Sequence, residues 1–140
     1  MASATVTWTG QKTSFDVLGD RSGHHTSADT YEPLGAGAGM RPTEMLLGAL
    51  GACAGVNAVL LLQKMRQPLT SLQIKIDGDQ EPEWPQSFTA IRIEFVLGWS
   101  GPTDDELVDK ALDLACNRYC PVHATLEHGV KVEHRRTNAA

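Results

Sequence analysis

Residues 48–65 read GALGACAGVNAVLLLQKM and overlap a run of eighteen residues, 45–62, that contains no charged side chain. Such a run predicts a helix that is apolar on every face and therefore needs cover on every face. Pro42 is well placed to begin this helix, and Pro68 ends it near Arg66. One small sheet covers only one side of a helix, so we expect a second copy of the chain to cover the other.

The same run is long enough to cross a membrane, which requires about 17–25 apolar residues. Gly48, Gly51, Gly55 and Asn57 interrupt it with residues that insert poorly. The segments on both sides also have the pattern of strands in a soluble domain. We therefore predict a buried helix and no association with a membrane.

The rest of the chain alternates between strand and helix patterns. A helix start is expected at Thr103 as N-cap, followed by three acidic residues. The order of elements predicts an α+β fold with antiparallel sheets in a single domain, 1–140. The predicted strands are 3–9, 12–18, 26–32, 71–79, 87–99 and 130–136, and a short helix is predicted over 122–129.

Composition and charge limit the classes of partner. The net charge is −5 and the isoelectric point is near 5.4, which argues against a nucleic-acid surface. The first residues, MASATVTWTG, lack the basic and apolar regions of a secretory signal. The three cysteines are an odd number, so we expect reduced thiols and a cytoplasmic location.

The cysteines allow more than one interpretation. Cys53 is either a small apolar residue in a core or a reactive thiol kept dry. Cys116 and Cys120 lie four apart near a predicted helix end, with His123 and His128 close by. Their spacing matches no common zinc module, so we predict no metal and no cofactor.

Two stretches carry a family resemblance: GMRPTEMLLGALGAC, residues 39–53, and ACNRYCPV, residues 115–122. Together they resemble the OsmC/Ohr family of thiol-dependent peroxidases, and RPTEMLLGALGAC with LLQKMRQP is most similar to its YhfA-like branch. The resemblance implies an intertwined homodimer, with antiparallel sheets wrapped around two long central helices.

The resemblance also implies a reaction. Cys53 would attack an organic hydroperoxide and become a sulfenic acid, and Cys120 would condense with it to a disulfide. An external dithiol would then restore both thiols. Cys116 has no counterpart in the family's cysteine pair and is expected to be structural.

The family's activating cation does not match in this sequence. Family hydroperoxide reductases use an arginine from the first hairpin, where this chain has Gln11 and Lys12. Arg41 is our candidate for the replacement, and Arg21 is the alternative. A cation is needed because a dry site otherwise favours the neutral thiol.

The acidic partner of that arginine is also displaced. In the family a glutamate follows the helix-opening proline directly, whereas here Thr43 follows Pro42 and Glu44 comes next. A shift of one residue turns a side chain by about 100° around a helix. Glu44 either orients Arg41 or complements the helix N-terminus.

Two other functions stay open at this point. The dimer is either a binding protein for an apolar small molecule or a sensor that is oxidised without turning over. Consumption of hydroperoxide with a dithiol reductant distinguishes the enzyme from both alternatives.

Overall fold

The computed structural model describes residues 1–140 and contains six strands and three helices. Strands and helices follow one another as the sequence predicts, which confirms the α+β class. In chain order the elements are β1 (Ala4–Trp8), β2 (Phe15–Gly19), β3 (His25–Ala28), α1 (Pro42–Lys64), β4 (Leu69–Gln80), β5 (Phe88–Trp99), α2 (Asp105–Asn117), α3 (Pro121–Leu126) and β6 (Lys131–Asn138).

The chain divides into two compact units, residues 1–46 and residues 47–140. The first unit holds β1–β3 and the first turn of α1, and the second holds the remainder. The prediction of a single domain over 1–140 stays a prediction.

In the first unit, β1, β2 and β3 form an antiparallel sheet in that order. The third strand is shorter than predicted because the chain leaves the sheet at Asp29, whose carboxylate is buried. That carboxylate accepts hydrogen bonds from the Thr13 hydroxyl at 2.6 Å and from the N–H groups of Thr30, Ala36 and Ala38 at 2.7–3.1 Å. The glycine-rich segment is therefore folded around a carboxylate of its own chain.

The second unit contains a mixed sheet in the order β4-β5-β6. Strands β4 and β5 form an antiparallel hairpin, but β6 lies parallel to β5. The prediction that all strands pair antiparallel is wrong for this pair. Parallel neighbours need a long crossover connection, and α2 with α3 supplies it between β5 and β6.

The core of the second unit lies between this sheet and the helices. Alternate residues of β5 are buried on one face, as a strand period of two requires. Gly55 allows α1 to approach β4 closely, since a Cβ there would lie 2.8 Å from Ile74 Cδ1. The buried residues that pack together include Leu50, Ala54, Ala58, Leu62, Ile91, Ile93, Phe95, Leu97, Val108, Ala111, Leu112 and Ala115.

Helix α2 begins and ends at different residues than the sequence suggests. Its N-cap is Asp104, not Thr103, because Asp104 Oδ1 accepts the N–H groups of Glu106 and Leu107. The helix ends at Asn117, so Cys120 lies outside it. Because α2 ends early, Cys120 lies in the connection between α2 and α3 and becomes the N-cap of α3.

Helix α1 has one buried and one open face within the single chain. Leu50, Ala54 and Ala58 are fully buried, whereas Val56 and Leu60 are about 60% exposed. By length and composition alone, α1 also meets the requirements for a membrane-spanning helix, although the core helix of a soluble protein meets them too.

Candidate active site

Cys53 and Cys120 lie side by side in the second unit, although 67 residues separate them in the chain. Cys53 is half-buried in α1, and Cys120 is buried as the N-cap of α3. Cys53 packs against the buried cluster that contains Cys120, and both are free thiols. The two cysteines proposed as a redox pair are therefore adjacent in the dithiol state.

The environment of Cys120 favours its protonated form. Burial, and next the hydrogen bond with Cys53, raise the pKa of the Cys120 thiol from its usual 9.0 to about 11. The N–H of His123 opposes this effect by donating to Cys120 Sγ at 3.3 Å.

Asn57 joins the two segments that carry these thiols. Its Nδ2 donates to the carbonyl of Cys53 at 3.0 Å and to the carbonyl of Tyr119 at 3.2 Å. The second carbonyl belongs to the peptide bond that precedes Cys120. Asn57 therefore fixes the backbone on both sides of the sulfur pair.

Cys116 is a third thiol in the same buried cluster, in the last turn of α2. Burial, followed by the charges of Cys120 and Asp113, raises the pKa of Cys116 to about 12. We expected Cys116 and Cys120 to lie near the end of one helix, but α2 ends between them. The hydrogen bond to Cys53 is what distinguishes Cys120 from Cys116.

Arg41 and Glu44 lie in the first unit, around the start of α1. Glu44 Oε1 accepts the backbone N–H of Arg41 at 3.0 Å, an arrangement that caps the helix. The Arg41 guanidinium lies over the Tyr31 ring, with its carbon 4.6 Å from the ring centroid. Of the two roles considered for Glu44, the observed hydrogen bond is the capping one.

The other candidate cations lie in turns of the first unit. Lys12 lies between β1 and β2 with a positive φ of 44°, and its carbonyl accepts the indole N–H of Trp8 at 2.9 Å. Arg21 is exposed between β2 and β3. For metals, the structure contains no group of three or more His, Cys, Asp or Glu side chains arranged to hold an ion.

Sequence reasoning treated Asn57 only as an interruption of the apolar run and His123 only as a neighbour of the cysteines, and it missed the hydrogen bonds that both make at the site. The amide of Asn57, one helical turn after Cys53 in an otherwise apolar helix, was a usable sign of a specific contact, because a partly buried polar side chain needs a hydrogen-bond partner. That partner, the Tyr119 carbonyl, lies 62 residues away, and nothing local in the sequence indicates it.

Comparison with known proteins identifies the family of this chain. Residues 35–135 match the family model described as OsmC-like protein. Protein YhfA of Escherichia coli strain K12 is 34% identical over 93 residues, which are 66% of this chain and 69% of that protein.

Solved structures share the fold. The crystal structure of an OsmC-like protein from Mycoplasma pneumoniae superimposes with a TM-score of 0.83 at 18% identity, over 100% of this chain and 98% of that one. The organic hydroperoxide resistance protein OhrB of Bacillus subtilis gives a TM-score of 0.61 at 16% identity, over 98% of both chains. The resemblance found in the sequence is thereby confirmed, and the chain belongs to the OsmC-like family.

Proposed function

We propose that this protein reduces organic hydroperoxides with its own thiols. The observation that carries the proposal is the closeness of Cys53 and Cys120, whose two chain segments Asn57 links through the carbonyls of Cys53 and Tyr119. Family membership supports it, since the relative from Bacillus subtilis is described as an organic hydroperoxide resistance protein. A nucleophilic thiol beside a protonated thiol is the arrangement that a peroxidase with a resolving cysteine requires.

The proposed cycle has three steps. The Cys53 thiolate attacks the terminal oxygen of the hydroperoxide, the O–O bond breaks, and Cys53 becomes a sulfenic acid while the alkoxide takes the proton that the thiol had released to solvent and leaves as an alcohol. The Cys120 sulfur then attacks the Cys53 sulfur, a disulfide forms, and the sulfenic oxygen leaves as water with the thiol proton. A dithiol reductant, either a small molecule or a protein, returns two electrons by exchange and restores both thiols.

For the first step we assign Arg41 as the cation that favours the Cys53 thiolate. Glu44 caps the start of α1 at the Arg41 backbone N–H, and a role for its carboxylate in orienting the Arg41 guanidinium is part of this proposal. A positive charge near a thiol lowers its pKa and increases the thiolate that reacts. Replacing Arg41 with Met removes the charge while keeping most of the bulk, and we expect it to slow the first step about tenfold, or about 1.4 kcal/mol.

We further propose a cytoplasmic homodimer that works without a metal or cofactor and binds neither nucleic acid nor membrane. The open face of α1 supports the dimer, because it exposes Val56 and Leu60. Next to it, α1 and β4 line an apolar groove of about 470 Å³. A second copy of this helix would cover both.

The decisive experiment is steady-state consumption of cumene hydroperoxide with dihydrolipoamide as reductant. Wild type should turn over many times, and Cys53→Ser should fall to the uncatalysed rate because a hydroxyl cannot form a sulfenic acid. Cys53→Ser at the wild-type rate would refute the mechanism. A stoichiometric loss of thiol without turnover would instead indicate an oxidant sensor.

One observation favours a second candidate function, the binding of an apolar small molecule. The first unit contains a cavity of about 450 Å³ lined by apolar side chains, among them Phe15, Val17 and Met45. Ligand pockets in proteins have this size and character. Binding of an apolar fluorescent probe that Phe15→Ala weakens, with no thiol consumed by hydroperoxide, would favour this function over the peroxidase.

A further inference from the structure

Asn57 is a polar side chain in the middle of the apolar helix α1, and both of its hydrogen bonds use the same nitrogen. One bond runs back along the helix to the Cys53 carbonyl at 3.0 Å. The other leaves the helix and reaches the Tyr119 carbonyl at 3.2 Å. An amide in an apolar helix lowers the stability of the fold if its N–H groups have no hydrogen-bond partner. The bond to the Tyr119 carbonyl supplies a partner and joins two segments of the chain.

The bond to Tyr119 ties the connection between α2 and α3 to helix α1. Helix α2 ends at Asn117 and α3 begins at Pro121, so Cys120 lies in the connection between them. The N–H groups of Arg118 and Tyr119 both bond to the Leu114 carbonyl and close the end of α2. Asn57 links α1 to this connection directly, through its hydrogen bond to the Tyr119 carbonyl.

We propose that Asn57 is a positioning residue for the thiol pair. By binding the carbonyl of Cys53 and the carbonyl before Cys120 with one amide, it holds together the two segments that carry the thiols and raises the effective concentration of Cys120 at Cys53. Orientation of this kind accelerates a reaction between two held groups. The assignment of Cys120 as the resolving thiol, and thus the catalytic benefit, rests on the function proposed above.

The first test measures the dithiol–disulfide equilibrium, which does not depend on peroxidase activity. The Cys53–Cys120 disulfide is equilibrated with dithiothreitol, and the oxidised fraction is read by mass spectrometry after alkylation. Asn57→Leu should make the disulfide about tenfold easier to reduce, a shift of about 30 mV for two electrons. A disulfide equilibrium unchanged in Asn57→Leu would overturn the proposal.

Two further variants exclude a general loss of stability. Asn57→Ser keeps a helical bond to the Cys53 carbonyl but is too short to reach Tyr119, so it should shift the equilibrium like Asn57→Leu. Asn117 is the matched control, because its Nδ2 also bonds four residues back, to Asp113 at 2.7 Å, without joining two segments. An equal shift in Asn117→Leu would overturn the proposal.

The second test follows resolution during turnover. After one equivalent of cumene hydroperoxide, a sulfenic-acid trap should label Cys53 several-fold more in Asn57→Ser than in wild type, while the first step keeps its rate. If wild type forms no sulfenic acid but the equilibrium still shifts, the peroxidase function fails and the positioning role stands. If wild type turns over and neither variant changes the equilibrium or the labelling, the positioning role fails alone.

Discussion

Cys120 shows how position decides the chemistry of a residue. Cys116 and Cys120 are both buried and both have raised pKa values, yet only Cys120 forms a hydrogen bond with Cys53. A thiol that stays protonated until a sulfenic acid forms beside it is protected from direct oxidation. In the proposed function the pair separates the two tasks, with attack at Cys53 and resolution at Cys120.

Single-cysteine variants should reveal this separation. In Cys120→Ser the attack by Cys53 remains, but the sulfenic acid lacks a partner, so turnover should stop after a few cycles through overoxidation. Cys116→Ala should keep a rate near wild type and leave no unpaired hydroxyl in the core. Initial rates with cumene hydroperoxide and the mass of the Cys53 peptide provide the measurement.

Peptide mapping without reduction tests the same assignment independently. Mild oxidation of wild type should link Cys53 to Cys120 and leave Cys116 free. A link between Cys116 and Cys120 would contradict it, and the break between α2 and α3 makes that link a meaningful alternative.

At the scale of elements, the sequence predicted the type and order of the secondary structure well because hydrophobic period and turn residues are local signals. It failed where the deciding contact is distant. The parallel pairing of β6 with β5 depends on the α2–α3 crossover, and the short β3 depends on the carboxylate of Asp29. The candidate site followed the same rule, since the family resemblance indicated the cysteine pair, whereas nothing local indicated that the amide of Asn57 links its segments.

The glycine-rich loop around Asp29 yields a pH-dependent prediction. The Thr13 hydroxyl, followed by backbone N–H groups, lowers the pKa of this carboxyl from 3.8 to about 2. A folded-state pKa below the unfolded one adds stability above about pH 4 and loses it as the pH falls towards about 2. Asp29→Asn should therefore lower the thermal midpoint at neutral pH, and the difference from wild type should shrink between about pH 4 and 2.

A matched control for this prediction is Asp20→Asn. Asp20 is exposed, and its carboxylate accepts one side-chain hydrogen bond, from Thr5. Its replacement should change the thermal midpoint little at any pH. Equal midpoints for wild type and Asp29→Asn at neutral pH would show that the loop does not depend on the carboxylate.

At the scale of the whole molecule, the open face of α1 is an apolar helix face that nothing within one chain covers. Val56 lines the groove formed with Leu72, Ile74 and Ile76 of β4, and Val56 and Leu60 are both exposed. A contiguous apolar surface of this kind on a soluble protein marks an interaction site. Gly55 faces Ile74 of its own chain, so Gly48 and Ala52, which are exposed, are the small residues available for contact with a second helix.

We therefore expect an obligate homodimer whose stability depends on protein concentration. Val56→Glu places a charge on the open face and should convert the dimer into a monomer or unfold the chain, as followed by sedimentation velocity and circular dichroism. Trp84→Glu is the matched control, because Trp84 is also an exposed apolar residue, in the β4–β5 turn, and its replacement should leave the dimer intact. A wild-type chain that sediments as a folded monomer at nanomolar concentration would contradict the dimer. A chain that floats with lipid vesicles would instead assign the open face of α1 to a membrane, since the helix is long and apolar enough for either partner.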